Sequence, residues 1–257
     1  MSLSQQETNF LTHFSASGKP MITSEEAEAF LHSRVAAVNT LGRLARKGWL
    51  QRLENGLYLI IPLEAGPERK WSENTFLIAS QLVSPGAIAY WSALRFWNWT
   101  EQMPQVVFIQ TPRRKKSIVI QDMLYRFITV NEKHYFGMVS RQLEGMTVFI
   151  TDPEKTLIDA AARPDLCSGI VHLAEVLRTN EQTIDWRKLD QYLTQWGEGT
   201  VVKRLGFLVE VLGLHAPEAL LPQWRNRLSQ GISPLEPGAG QKGPVITRWK
   251  IRNNIDF

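Results

Sequence analysis

One cysteine, Cys167, in 257 residues rules out an intramolecular disulfide framework and a cysteine-rich zinc site. No apolar run approaches the roughly 20 residues a membrane-spanning helix needs. The opening MSLSQQETNF has no basic stretch leading into an apolar one. A reducing cytoplasm is therefore the expected setting, with no membrane attachment. There is no glycine-rich phosphate loop, no GxSxG and no CxxC, and His13, His32, His134, His172 and His215 lack metal-ligand spacing. No catalytic residue, metal or cofactor is expected. Net charge is sparse as well: +4 permits an anionic partner without demanding one, so only clustering of cations carries meaning.

What is present is a folded chain, 44% apolar, long enough for two or three units. Its most informative stretch is 33–62, SRVAAVNTLGRLARKGWLQRLENGLYLIIP. The spacing predicts a helix capped by Ser33 and stopped by Gly48, with Val35, Val38, Leu41, Leu44 and Ala45 facing a core. Arg34, Asn39, Thr40, Arg43, Arg46 and Lys47 fall on the opposite side. Segments 49–53 and 57–61 flank Glu54-Asn55-Gly56, and Asn-Gly predicts a primed hairpin turn. Upstream, a helix over 4–17 and a second opening with the capping box at Thr23 and Glu26 complete three helices and a hairpin. A basic helix running into a hairpin is what a winged helix-turn-helix offers to DNA: helix in the major groove, wing beside it.

Beyond a turn-rich joint at 63–71, helices are expected at 72–82 and 87–99. Strands are expected at 106–110, 116–120, 123–130, 134–139 and 145–150, with a turn at Met103-Pro104. Arg113, Arg114, Lys115 and Lys116 form the densest basic run, a solvated loop or an additional nucleic-acid patch. Asp152-Pro153 opens a helix, four more follow at 168–178, 185–195, 199–213 and 217–228, and a Pro/Gly-rich loop precedes a last strand at 246–255. The expected fold class is α+β: a winged helix-turn-helix over 1–62, a linker over 63–71, and a larger mixed α/β domain over 72–257 with a small sheet and a helical tail.

Two other readings remain open. Asp152, Glu154 and Asp159 could hold a divalent metal in a nuclease or nucleotidyltransferase, although capping and a Lys155–Asp159 pair account for them more simply. Alternatively the winged helix is a scaffold, and an apolar face on 199–213 engages a protein.

Five ordered segments resemble one family. The wing segment GRLARKGWLQRLENGLYLIIP is similar to the N-terminal winged helix of AbiEi-type antitoxins of type IV toxin–antitoxin (abortive infection) systems. AIAYWSALRFWNWTEQMPQVVFIQTPRR, ITDPEKTLIDAAARPD and VVKRLGFLVEVLG resemble later family segments, as does the closing LEPGAGQKGPVITRWKIRNNI. The resemblance implies a winged helix that binds double-stranded DNA at an inverted-repeat operator and represses its own operon. It implies a C-terminal antitoxin domain that counters a nucleotidyltransferase-like cognate toxin, without requiring direct contact. Carried over, the DNA-binding positions are Arg34, Asn39, Thr40 and Arg43, with Arg46 and Lys47 nearer phosphate and Arg52 and Asn55 in the wing. The departure is modest basicity: residues 1–62 hold six Lys/Arg (Lys19, Arg34, Arg43, Arg46, Lys47, Arg52) against five Asp/Glu (Glu7, Glu25, Glu26, Glu28, Glu54).

Overall fold

The computed structural model describes residues 2–66, 68–69, 71–102 and 105–256. The turn expected at Met103-Pro104, and Pro67 and Lys70 of the expected linker, lie outside them. The chain forms two compact units: Met1–Asn74 with Gln142–Met146, and Thr75–Arg141 with Thr147–Phe257. The architecture is α+β, a winged helix-turn-helix followed by a larger mixed sheet-and-helix domain.

In the first unit α1 (Gln5–Ala16) begins with a reciprocal cap between Ser4 and Glu7. A short strand β1 (Met21–Thr23) leads into α2 (Ser24–Leu31), whose capping box is Thr23 and Glu26 as the sequence suggests. His32, in the left-handed region at φ 53°, ends α2, and Ser33 caps α3 (Arg34–Arg46) by accepting the Ala36 N–H. β2 (Leu50–Glu54) and β3 (Leu57–Ile60) form the wing in an antiparallel sheet of order β1-β3-β2. Phe10, Phe14, Ile22, Ala27, Ala37, Leu41, Leu44, Leu50 and Ile60 make the core. The joint packs with this unit: Arg69 lies 3.8 Å over the Trp49 ring and donates to the Lys47 carbonyl.

The second unit opens with α4 (Thr75–Leu82) and the two-residue strand β4 (Ala87–Ile88). α5 (Trp91–Phe96), β5 (Val106–Thr111), β6 (Ile118–Ile120), β7 (Met123–Thr129), β8 (Met138–Leu143) and β9 (Met146–Thr151) follow. The six strands are ordered β6-β7-β5-β4-β9-β8, with β5 parallel to β7 and β4 parallel to β9. α6 (Pro153–Ala162), α7 (Gly169–Asn180), α8 (Trp186–Trp196), α9 (Gly199–Val211) and α10 (Leu220–Asn226) supply much of a large core. β10 (Ser233–Pro234), β12 (Ile251–Arg252) and β11 (Val245–Ile246) close the chain in a small sheet in that order.

Three expectations are corrected. Residues 87–99 are not one helix: Ala87 and Ile88 pair with β5, Ile88 also pairs with Ile150 of β9, and Tyr90, at φ 55°, separates them from the short α5. A fully buried apolar run does not distinguish strand from helix by period alone. The strand expected at 134–139 starts at Met138, because Glu132–His134 is a 3-10 turn; His134 stacks on Trp196 at 3.8 Å. The closing strand expected at 246–255 is interrupted at Thr247–Trp249, where the chain tucks Trp249 into the core.

Candidate nucleic-acid interface

α3 and the wing belong to one unit, and the sheet that carries the wing also ties down the start of α2: the Ser24 N–H donates to Gly56 O at 2.8 Å. α3 packs against α2, and the residues it turns inward are Ala37, Thr40, Leu41 and Leu44. This rotates the helix relative to the sequence reading. Val35 and Val38, expected in the core, are 71% and 59% exposed, while Thr40, expected on the reading face, is fully buried. The small Ala37 lets α2 and α3 pack closely, and Thr40 shares that covered stripe with Leu41 and Leu44. Thr40 is instead a support, its hydroxyl accepting from Arg43 at 3.2 Å.

The solvent face of α3 therefore carries Arg34, Val35, Val38, Asn39, Gly42, Arg43 and Arg46, all exposed except the partly covered Gly42. Two expected DNA contacts are drawn elsewhere. Lys47 donates to Glu7 of α1 at 2.6 Å and to the Ser2 carbonyl at 3.0 Å. Arg43 Nε lies 3.6 Å from the other Glu7 oxygen, so its guanidinium is shared. The Lys47 ammonium and the Ser4 N–H hold the buried Glu7 carboxyl down to about 2. Nothing near Glu7 in sequence announces this tie, because its partners lie 36 and 40 residues away.

In the wing, Arg52 and Asn55 are both exposed and bonded to each other, Arg52 Nη2 donating to Asn55 Oδ1 at 2.8 Å. The turn is not of the expected primed type, since only Gly56, at φ 81°, has positive φ. Arg52 pairs with Tyr58 and Glu54 with Leu57, leaving Leu53 as the extra residue of a bulge. Bulging turns Leu53 inward, where it is buried.

The basic run belongs to the second unit, on the connection from β5 to β6. Arg113, Arg114 and Lys116 are exposed there, whereas Lys115 is held by the Leu82 carbonyl and the Phe127 ring.

The three carboxylates considered for a metal are occupied. Asp152 caps α6 through the Lys155 N–H at 2.9 Å, and accepts the Tyr192 hydroxyl at 2.8 Å and the Lys188 ammonium at 3.0 Å. Glu154 takes the Asp185 N–H at 3.0 Å and the same ammonium at 2.9 Å. Burial, with the Asp152 contact, pushes the Tyr192 phenol up to about 12. Asp159 is fully buried, paired with Lys155 and bonded to Gln110 at 3.2 Å. Burial pushes its carboxyl up, and Lys155 opposes the shift. Lys155 itself lies 5.2 and 5.0 Å from the Phe136 and Trp196 ring centres. Among the described residues no group of three or more His, Cys, Asp or Glu is placed to hold a metal ion. No helix is long and apolar enough to cross a membrane.

Nor does α9 present the apolar face that an interaction scaffold would use, because 201–209 is buried throughout. Even Lys203 and Arg204 are inside. Lys203 donates to the Gly231 carbonyl at 2.9 Å, and Arg204 to the Ala161 carbonyl at 2.7 Å and to Pro234 O.

No family model and no curated protein matches the chain. Among solved structures it is similar to the crystal structure of RV2827C protein from Mycobacterium tuberculosis, with a TM-score of 0.68 over 97% of this chain and 92% of that one. At 14% identity, this likeness shows that the two chains share a fold across nearly their whole lengths.

Proposed function

We propose that the chain is a sequence-specific DNA-binding regulator that docks α3 in the major groove of an inverted-repeat operator and represses its own operon. The second unit acts as an antitoxin domain against a nucleotidyltransferase-like toxin, a role that rests on the resemblance of its segments to AbiEi-type antitoxins. The observation that carries the DNA-binding reading is the composition of one exposed helix face: Arg34, Asn39 and Arg46 along α3, with Arg52 in the adjoining wing. Arginine and asparagine can read base edges bidentately, and wing cations grip phosphate.

The experiment is a salt-titrated binding assay of the full chain on the duplex upstream of its gene, against a shuffled duplex of equal length. With Arg34, Arg46 and Arg52 as the phosphate-reaching cations, log affinity should fall with log salt at a slope of about −2.7 per chain. Between 50 and 200 mM salt that is roughly a fortyfold loss. Recruitment of Arg113, Arg114 and Lys116 would double the slope. Arg46→Ala should weaken binding and lower the slope, whereas Lys47→Ala should act through stability and leave the slope intact. Equal affinity for both duplexes at low salt would refute the reading.

A further inference from the structure

The centre of the exposed α3 face is apolar and open, which neither phosphate binding nor folding explains. Val35 and Val38 are the most exposed large apolar side chains of the helix, at 71% and 59%. One turn further on, at the positions i+4 from Val38 and i+7 from Val35, stands Gly42, and a Cβ built there meets no atom within 4 Å. Glycine inside a helix costs about 1 kcal/mol relative to alanine. Here the fold has room for the side chain and the helix omits it. Arg34 and Arg46 bracket this strip along the helix, Arg46 Nε donating to the Gly42 carbonyl at 3.4 Å, and Asn39 lies beside it. Cations at both ends of an apolar strip complement a polyanion whose groove floor carries apolar groups. In the major groove the apolar group is the 5-methyl of thymine, and asparagine is the side chain that bonds adenine bidentately.

We propose that α3 reads A·T base pairs through thymine methyl groups. Val35 and Val38 seat the methyls, Gly42 lets the helix backbone approach the groove floor, and Asn39 bonds an adenine edge. The inference rests on the DNA-binding reading above and adds its specificity.

The test begins with selection of sites from a random duplex pool by the full chain, followed by replacement of individual thymines with deoxyuridine in the selected site. That swap removes the methyl and keeps every hydrogen-bonding group. The selected sites should share A·T steps, and deoxyuridine at the contacted positions should weaken binding about fourfold per methyl lost. Val38→Ala should weaken binding to the thymine site and be indifferent to deoxyuridine at its own contact. Gly42→Leu, which has open space, should fold with unchanged or higher thermal stability and lose specific binding more than tenfold. Specific binding that is insensitive to deoxyuridine, or retained in Gly42→Leu, would overturn the inference and leave the DNA-binding reading standing. Absence of binding to any duplex at low salt would overturn both.

Discussion

Removing the Asp159 carboxylate strands a buried charge in the core of the second unit. Both members of the Lys155–Asp159 pair are fully buried, on one face of α6, and Lys155 is enclosed by Phe136, Trp196, Gln110 and the carboxylate. Asp159→Ala leaves an ammonium inside the core with only the Gln110 carbonyl, at 3.4 Å, and two aromatic faces to replace the anion. Breaking a buried pair from one side costs about 3–5 kcal/mol, because the partner's charge is left uncompensated. That lowers the folding constant roughly a hundred- to several-thousand-fold, a large part of the 5–15 kcal/mol typical of a native protein. Replacing both partners with apolar residues of similar volume removes the stranded charge. The pair Lys155→Met with Asp159→Leu should therefore recover most of the loss. Urea unfolding followed by tryptophan emission is the assay, and Trp196, one of the rings over Lys155, reports on the site itself. An Asp159→Ala variant with the wild-type midpoint would refute the reasoning, and so would a double variant no more stable than the single one. Unchanged stability together with loss of a metal-dependent nucleotide turnover would restore the enzymatic reading.

Two further changes probe other ties. Glu7 has its folded carboxyl near 2 against an ordinary 4.5, so its stabilisation is complete above pH 4.5 and disappears as pH falls through about 2. Glu7→Gln should accordingly lower the stability of the first unit at neutral pH, and the two pH–stability curves should converge near pH 2; parallel curves would exclude the Lys47 tie. Gly206→Ala places a Cβ into the ring of buried Trp249. Overpacking should cost about 1–3 kcal/mol despite alanine's better helix propensity, lowering the melting temperature by about 2–10 °C; an unchanged melt would show that the ring can yield.

Local chemistry was legible at several places where a residue's partner lies within one turn of it. The capping box of Thr23 and Glu26, the Ser33 cap, the Asp152-Pro153 helix start and the Lys155–Asp159 pair all form as their spacing suggests. Strands at 106–111 and 123–129 show in their apolar runs, and pair in parallel with each other. What the sequence hid was decided by distant packing. Val35 and Val38 follow the helical period as faithfully as Ala37 and Leu41 do, and only the approach of α2 selects which stripe is covered. AIAY reads as the start of a helix until β5 pairs with Ala87 and Ile88, and β9 with Ile88. The wing was expected from Asn-Gly, yet its turn type depends on a bulge that a two-residue motif does not encode.

The same distinction governs how the charges should be counted. Of the six cations in 1–62, Lys19 faces Glu26 at 3.1 Å, Lys47 is held by Glu7, and Arg43 is shared with Glu7. In the second unit Lys155, Lys188, Lys203 and Arg204 hold helices and loops together from inside or at the margin of the core. The count of cations thus overstates what is available to a polyanion, and in the first unit it leaves chiefly Arg34, Arg46 and Arg52. Non-specific affinity for DNA comes almost entirely from such phosphate contacts. A reader with few of them binds random sequence weakly, so most of its affinity for a true site must come from base edges. On the reading proposed above, those edges meet Asn39, the two exposed valines and the side-chain-free position Gly42, and the choice of site falls to that apolar strip rather than to the basic residues.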